Sequence, residues 1–159
     1  LKKVQSGNPE LLAEAVKEIK ENGDLSIAQA LVETLQDMRD SYTMKTIVNL
    51  LADIKENAFR EIVINQLQTT SQSAVKVELL RMIWESSLDY SQYLPIFLEI
   101  LQNDEFSIAF EASTVIENAV HNLTEEQQVQ LHEFIETFPE DKQFLIENIH
   151  AELGCCEHD

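Results

Sequence analysis

The stretch SQYLPIFLEILQNDEFSIAFEASTVIEN, residues 91–118, carries two apolar stripes separated by a short polar turn. Tyr93, Phe97 and Leu101 are spaced i, i+4 and i+8, one face of an α-helix. Gln102-Asn103-Asp104 then breaks the pattern, and Ile108, Ala112 and Val115 open a second helical stripe. Pro95 falls in a first turn if Ser91 is the cap, where no internal donor is lost. Asp104 or Ser107 can cap the helix that follows. The reading is a pair of amphipathic helices.

The same pair recurs on either side. Ile27, Leu31 and Leu35 have the first stripe's spacing, and Phe59, Val63 and Leu67 repeat it 32 residues on. Gln127, Leu131 and Ile135 follow Tyr93, Phe97 and Leu101 by 34, imperfect only at Gln127. The second stripe recurs as Leu12, Val16 and Ile19, then Met44, Val48 and Leu51, then Val75, Leu79 and Met82, before Ile108, Ala112 and Val115. A last copy, Lys142, Ile146 and Ile149, loses its first apolar member. Two faces alternating at one shared period mark a helix-pair repeat. An antiparallel bundle also uses amphipathic helices, but it gives no reason for two faces to repeat in register.

Breakers and caps divide the chain accordingly. Asn8-Pro9 supplies a cap and a first-turn proline, Gly23 ends that helix, and Asp24 or Ser26 can cap the next. Ser41, then Ser71 or Ser73, precede later segments, Thr124 with Gln127 has capping-box spacing, and Pro139 opens the last helix. Helices are predicted at 9–22, 25–37, 41–55, 58–69, 72–87, 91–102, 105–121, 124–138 and 140–153. Val4 lies 31 before Leu35, so residues 1–5 read as the stub of a further helix. The organisation expected is one domain over 1–153, with a half repeat at 1–23, repeats at 24–57, 58–90, 91–123 and 124–153, and a tail at 154–159.

At this point the chain resembles the HEAT-repeat family of armadillo-type superhelices. The family's pattern has an aspartate in the turn and a Val-Arg pair early in the second helix. Asp37 and Asp104 occupy that turn; Val75-Lys76 and Met44-Lys45 approximate the pair, whereas Ile108-Ala109 lacks the basic residue. The resemblance implies an all-α, right-handed α-α superhelix whose first helices line a convex side and whose second helices line a concave groove. It implies a scaffold that holds other macromolecules and says little about activity.

The 29 acidic side chains against 11 basic ones give a formal charge of −18, a field that repels phosphate backbones and anionic membrane surfaces. Nucleic acid and membrane are therefore not the expected partners. A basic partner suits the field, although acidity also simply keeps proteins in solution. No apolar run approaches a membrane span. The only cysteines, Cys155 and Cys156, are neighbours and cannot staple distant segments.

Positions two, five and nine after each second helix's first core residue lie opposite its core face. In the first two units these are Glu14, Lys17 and Glu21, then Thr46, Asn49 and Asp53, all polar. The next gives Val77, Leu80 and Trp84, and the last two give Phe110, Ser113 and Glu117, then Phe144, Glu147 and Ala151. Val77, Leu80, Trp84, Phe110 and Phe144 thus form a candidate apolar strip with Glu78, Glu111, Glu117 and Glu147 as its acidic rim. Such a surface suits a basic, helical protein or peptide. The competing reading is burial: helix 72–87 is apolar on most of its circumference, and a small slip in register puts Leu80 and Trp84 in the core.

His150, Cys155, Cys156 and His158 gather near the end, but adjacent cysteines lack zinc-ligand spacing and read as a frayed terminus. His121 and His132 read as solvent-exposed. No phosphate loop, nucleophile elbow, metalloprotease motif or cofactor-binding motif is found, and no metal or cofactor is expected. The expected function is a non-enzymatic scaffold. A helical-repeat enzyme acting on DNA would need a basic groove, which Glu14, Glu78, Glu111 and Glu117 oppose. A structural role, as a monomer or a weak dimer through the N-terminal end, is the third reading.

Overall fold

The structure, a computed structural model, describes residues 9–22, 25–38 and 40–157. The stub at residues 1–5, the Asn8 cap, the Gly23 stop and Asp24 lie outside these residues, as do the side chains of Leu12 and Val16. The described residues are all-helical, with no strand. Helix α1 spans Pro9–Asn22, α2 Leu25–Thr34, α3 Ser41–Leu51, α4 Phe59–Thr69 and α5 Ser73–Glu85. Helix α6 spans Leu94–Asn103, α7 Phe106–Ala119, α8 Glu125–Glu136 and α9 Glu147–Glu157.

Contacts divide the chain into two compact units, residues 1–88 and 89–159. In the first unit α1 packs on α2 and α3, α2 on α4, α3 on α5, and α4 on α5, so that alternate helices are neighbours. In the second, α6 packs along α7, and α7 meets α9.

The two predicted stripes supply the core. Leu31, Leu35, Val63, Phe97, Leu101 and Leu131 are buried from the first series; Ile19, Val48, Leu79, Ala112 and Ile149 are buried from the second. Each large aliphatic side chain so removed from water contributes about 1.5–3 kcal/mol. The polar exception in the first series has a cause. Gln127 closes the capping box of α8: its N–H donates to Thr124 Oγ1 (3.1 Å), and its Oε1 accepts from the Thr124 N–H (3.0 Å). Its Nε2 then donates to the Ser91 carbonyl (2.9 Å).

Other helix starts differ from expectation. The α3 cap is Asp40 rather than Ser41: Asp40 accepts from the Tyr42 N–H (3.1 Å) and from Thr43 Oγ1 (2.7 Å). These bonds, the Thr43 hydroxyl first, hold the Asp40 carboxyl below its ordinary pKa. Ser71 and Ser73 do not cap α5, whose cap position is Gln72, and neither Asp104 nor Ser107 holds the cap position of α7, which begins after Glu105. Ser91 opens a 3₁₀ turn, Ser91–Tyr93, so α6 starts later, with Pro95 still in its first turn.

The largest departure is at the C-terminal end. Residues 140–153 are not one α-helix. Pro139 leads into a 3₁₀ segment, Glu140–Leu145, which stops at Ile146 (φ −113°, ψ 1°) before α9 begins. Leu145 and Ile146 are both buried where the 3₁₀ segment ends. Helix α9 continues through Gly154 to Glu157, where a tail was expected.

A candidate aromatic docking surface

Position i+4 places Phe106 and Phe110 on one face of α7, in its first turn and the next. The 3₁₀ segment Glu140–Leu145 packs against α7 and brings Phe144 to the same place. Its ring centroid lies 5.7 Å from that of Phe106, which is 6.0 Å from Phe110. Phe106 therefore sits at the centre of a three-ring cluster. Relative exposures are 61% for Phe106, 51% for Phe110 and 55% for Phe144, so the rings touch one another without being covered.

Local hydrogen bonds hold the segment that presents Phe144. The Lys142 N–H donates to the Pro139 carbonyl (3.1 Å) and the Ile146 N–H to the Gln143 carbonyl (3.0 Å). Gln143 Nε2 donates to the Phe138 carbonyl (2.9 Å), and Leu145 and Ile146 anchor the turn from below. An exposed ring on a pinned turn is presented in one place, at a lower entropic cost to binding than a mobile one.

The predicted strip separates by unit. Phe110 and Phe144 belong to the second unit and come together, joined by Phe106, which the strip omitted. The signal for Phe106 was present, since it stands four residues before Phe110 on the same helical face. Val77, Leu80 and Trp84 belong to the first unit. Leu80 is fully buried and presents nothing to a partner, a correction to its place in the strip. It lies on the flank of α5, a helix contacted by both α3 and α4, so the covered arc is wider than one core stripe. Val77 and Trp84 are half-buried.

The rim divides in the same way. Glu78 is buried, and its Oε2 accepts from Arg81 Nε (3.0 Å) and Nη2 (2.7 Å). Arg81 Nη1 reaches on to Asn49 Oδ1 (3.2 Å) and Glu85 Oε1 (3.4 Å), joining α3 to α5. Glu78 is thus a structural carboxylate, a second correction. In the other unit Glu147 is exposed, and Glu111 and Glu117 are half-buried.

Two recesses of mixed polar and apolar lining lie in the first unit. One, of about 520 Å³, is lined by Ala52, Asp53, Lys55, Glu56, Glu85 and Ser87. The other, of about 220 Å³, runs beside Gln29, Glu33, Asn65, Gln66 and Thr69. Neither lining contains a histidine or cysteine. Among the described residues no group of three or more His, Cys, Asp or Glu is placed to hold a metal ion. The side chains of Cys155 and Cys156, and all of His158, lie outside those residues, and His150 is exposed. His121, read from sequence as solvent-exposed, is exposed and lies 3.0 Å from Glu152 Oε2, 31 residues on. Among the described residues no helix is long and apolar enough to cross a membrane.

Comparison with known proteins yields no matching family model, no matching curated protein and no matching solved structure.

Proposed function

We propose that this chain is a non-enzymatic scaffold of stacked HEAT-like helix pairs, and that its second unit holds a protein or peptide partner against Phe106, Phe110 and Phe144. The superhelical reading is supported by the register of the two stripes and by alternate helices packing as neighbours in the first unit. The docking reading rests on one observation: three phenylalanine rings, Phe106 against both Phe110 and Phe144, each more than half exposed. Aromatic side chains are among the most costly to leave in water, and a contiguous exposed apolar patch marks an interaction site more often than scattered single residues do. Burial of such rings supplies the central anchors of an interface.

The test is a displayed library of random peptides panned against the intact chain and against the variant F106S/F110S/F144S. Peptides enriched on the intact chain and lost on the variant are the expected result. Equal recovery on both, or no enrichment on either, removes the aromatic surface from consideration as a binding site.

A further inference from the structure

The two units differ in charge far more than in size. Residues 89–159 carry 16 acidic side chains and a single basic one, Lys142, a net −15, whereas residues 1–88 carry 13 acidic and 10 basic, a net −3. The exposed rings lie in the strongly negative unit. Along the chain Glu105 adjoins Phe106, while Glu140, Asp141 and Glu147 stand within four residues of Phe144, and all four carboxylates are exposed. Residues 89–159 contain no arginine, so the unit supplies none of its own to pair with a carboxylate as Arg81 pairs with Glu78 in the first unit.

From this we propose that the occupant of the aromatic surface is a basic amphipathic helix, an inference that rests on the docking reading above. Ring centroids 6.0 and 5.7 Å apart match the roughly 6 Å axial step between helical residues four apart. Apolar side chains four apart on one stripe of a partner helix therefore match the spacing of neighbouring rings. Lysine or arginine on the flanks of that stripe meets the carboxylates, which raises the association rate and lowers the affinity for acidic competitors. A second copy of the chain is a poor occupant: bringing together two units that each carry a net −15 is opposed by like charge, over a range of about 8 Å at physiological salt.

The test uses three synthetic peptides of about 18 residues, long enough for five helical turns. The first has leucines on one stripe and lysines elsewhere, the second replaces lysine by glutamine, and the third scrambles the first so that no stripe remains. Binding is read by fluorescence anisotropy at about 50 and 300 mM salt, which shortens the screening length about 2.4-fold. The proteins are the intact chain, F106S/F110S/F144S and E105Q/E140Q/E147Q, each checked for unchanged circular dichroism. The striped lysine peptide is expected to bind about tenfold more tightly than the other two at low salt. That advantage shrinks with salt and with the Glu→Gln variant, and binding is lost with the Phe→Ser variant.

If the glutamine peptide binds as tightly as the lysine peptide and loses its binding with the rings, the docking surface stands and the basic partner is wrong. If no peptide responds to loss of the rings, both ideas fall. Equal binding of the scrambled lysine peptide reduces the effect to bulk charge and overturns the proposal. So does low-salt self-association in the ultracentrifuge that the Phe→Ser variant abolishes.

Discussion

Helices α5 and α7 hold the same place in the repeat, 33 residues apart, and differ in how far they cover two of its positions, Val77 against Phe110 and Glu78 against Glu111. Val77 corresponds to Phe110, Glu78 to Glu111, Leu80 to Ser113, Arg81 to Thr114 and Trp84 to Glu117. On α5 the leucine is buried and the glutamate is clamped by arginine, so that the helix spends its outer face on internal structure. On α7 the leucine position is a serine, buried like the leucine, whose Oγ donates to the Phe110 carbonyl (2.6 Å), and the arginine position is a threonine bonded to the same carbonyl (3.2 Å). Local backbone bonds replace long-range ones there, and the aromatic side chain is left outside. One repeat position can therefore serve packing or display, according to which neighbours cover it.

The largest effect that can break this contrast is on packing. Leu80→Ala is expected to cost about 3 kcal/mol, the usual range for a leucine truncated in a core, while Phe110→Ala costs under about 1 kcal/mol because half of that ring is already in water. Urea melts of the two variants decide it; similar small losses would place Leu80 on the surface. Next comes Arg81→Met, expected to lose about 2 kcal/mol, because it leaves Glu78 buried without its cation. The double variant with Glu78→Gln should recover part of that loss. No recovery means that the loss comes from Arg81's bonds to Asn49 and Glu85 and not from an unpaired Glu78.

Two smaller effects sharpen the comparison at helix starts. Thr124→Ala removes the capping box of α8 in the second unit and should cost about 1 kcal/mol in the same melts. Its effect is independent of pH, since threonine does not titrate. The α3 cap in the first unit does titrate. The Asp40 carboxyl is lower in the folded chain than in the unfolded one, so its contribution is present above the unfolded carboxylate pKa and fades as pH falls through the folded value. Asp40→Asn keeps an acceptor but abolishes the titration. It should narrow the stability difference between neutral and acid solution slightly, and an unchanged difference would show that the cap bonds do not form.

Much of the helical layout was legible because each stripe is a local property: residues 3.6 apart share a face wherever the helix is. Leu31, Val63, Phe97 and Leu131 are buried as their spacing required, and Thr124 with Gln127 caps α8 as their types required. The candidate surface was legible only in part. Phe110 and Phe144 were found by their positions opposite the core, but Phe106 stood outside that rule and Leu80 satisfied it falsely.

By itself the sequence determined the all-helical class, the alternating stripes and the acidity, since periodicity and charge need no knowledge of what packs against what. Only the tertiary structure decided that Leu80 is inside and that Phe144 meets Phe106. Coverage of a helix flank depends on its neighbours, here α3 and α4, and the turn at Glu140–Leu145 depends on the depth to which Leu145 and Ile146 are drawn. Neither is encoded in the spacing of one helix.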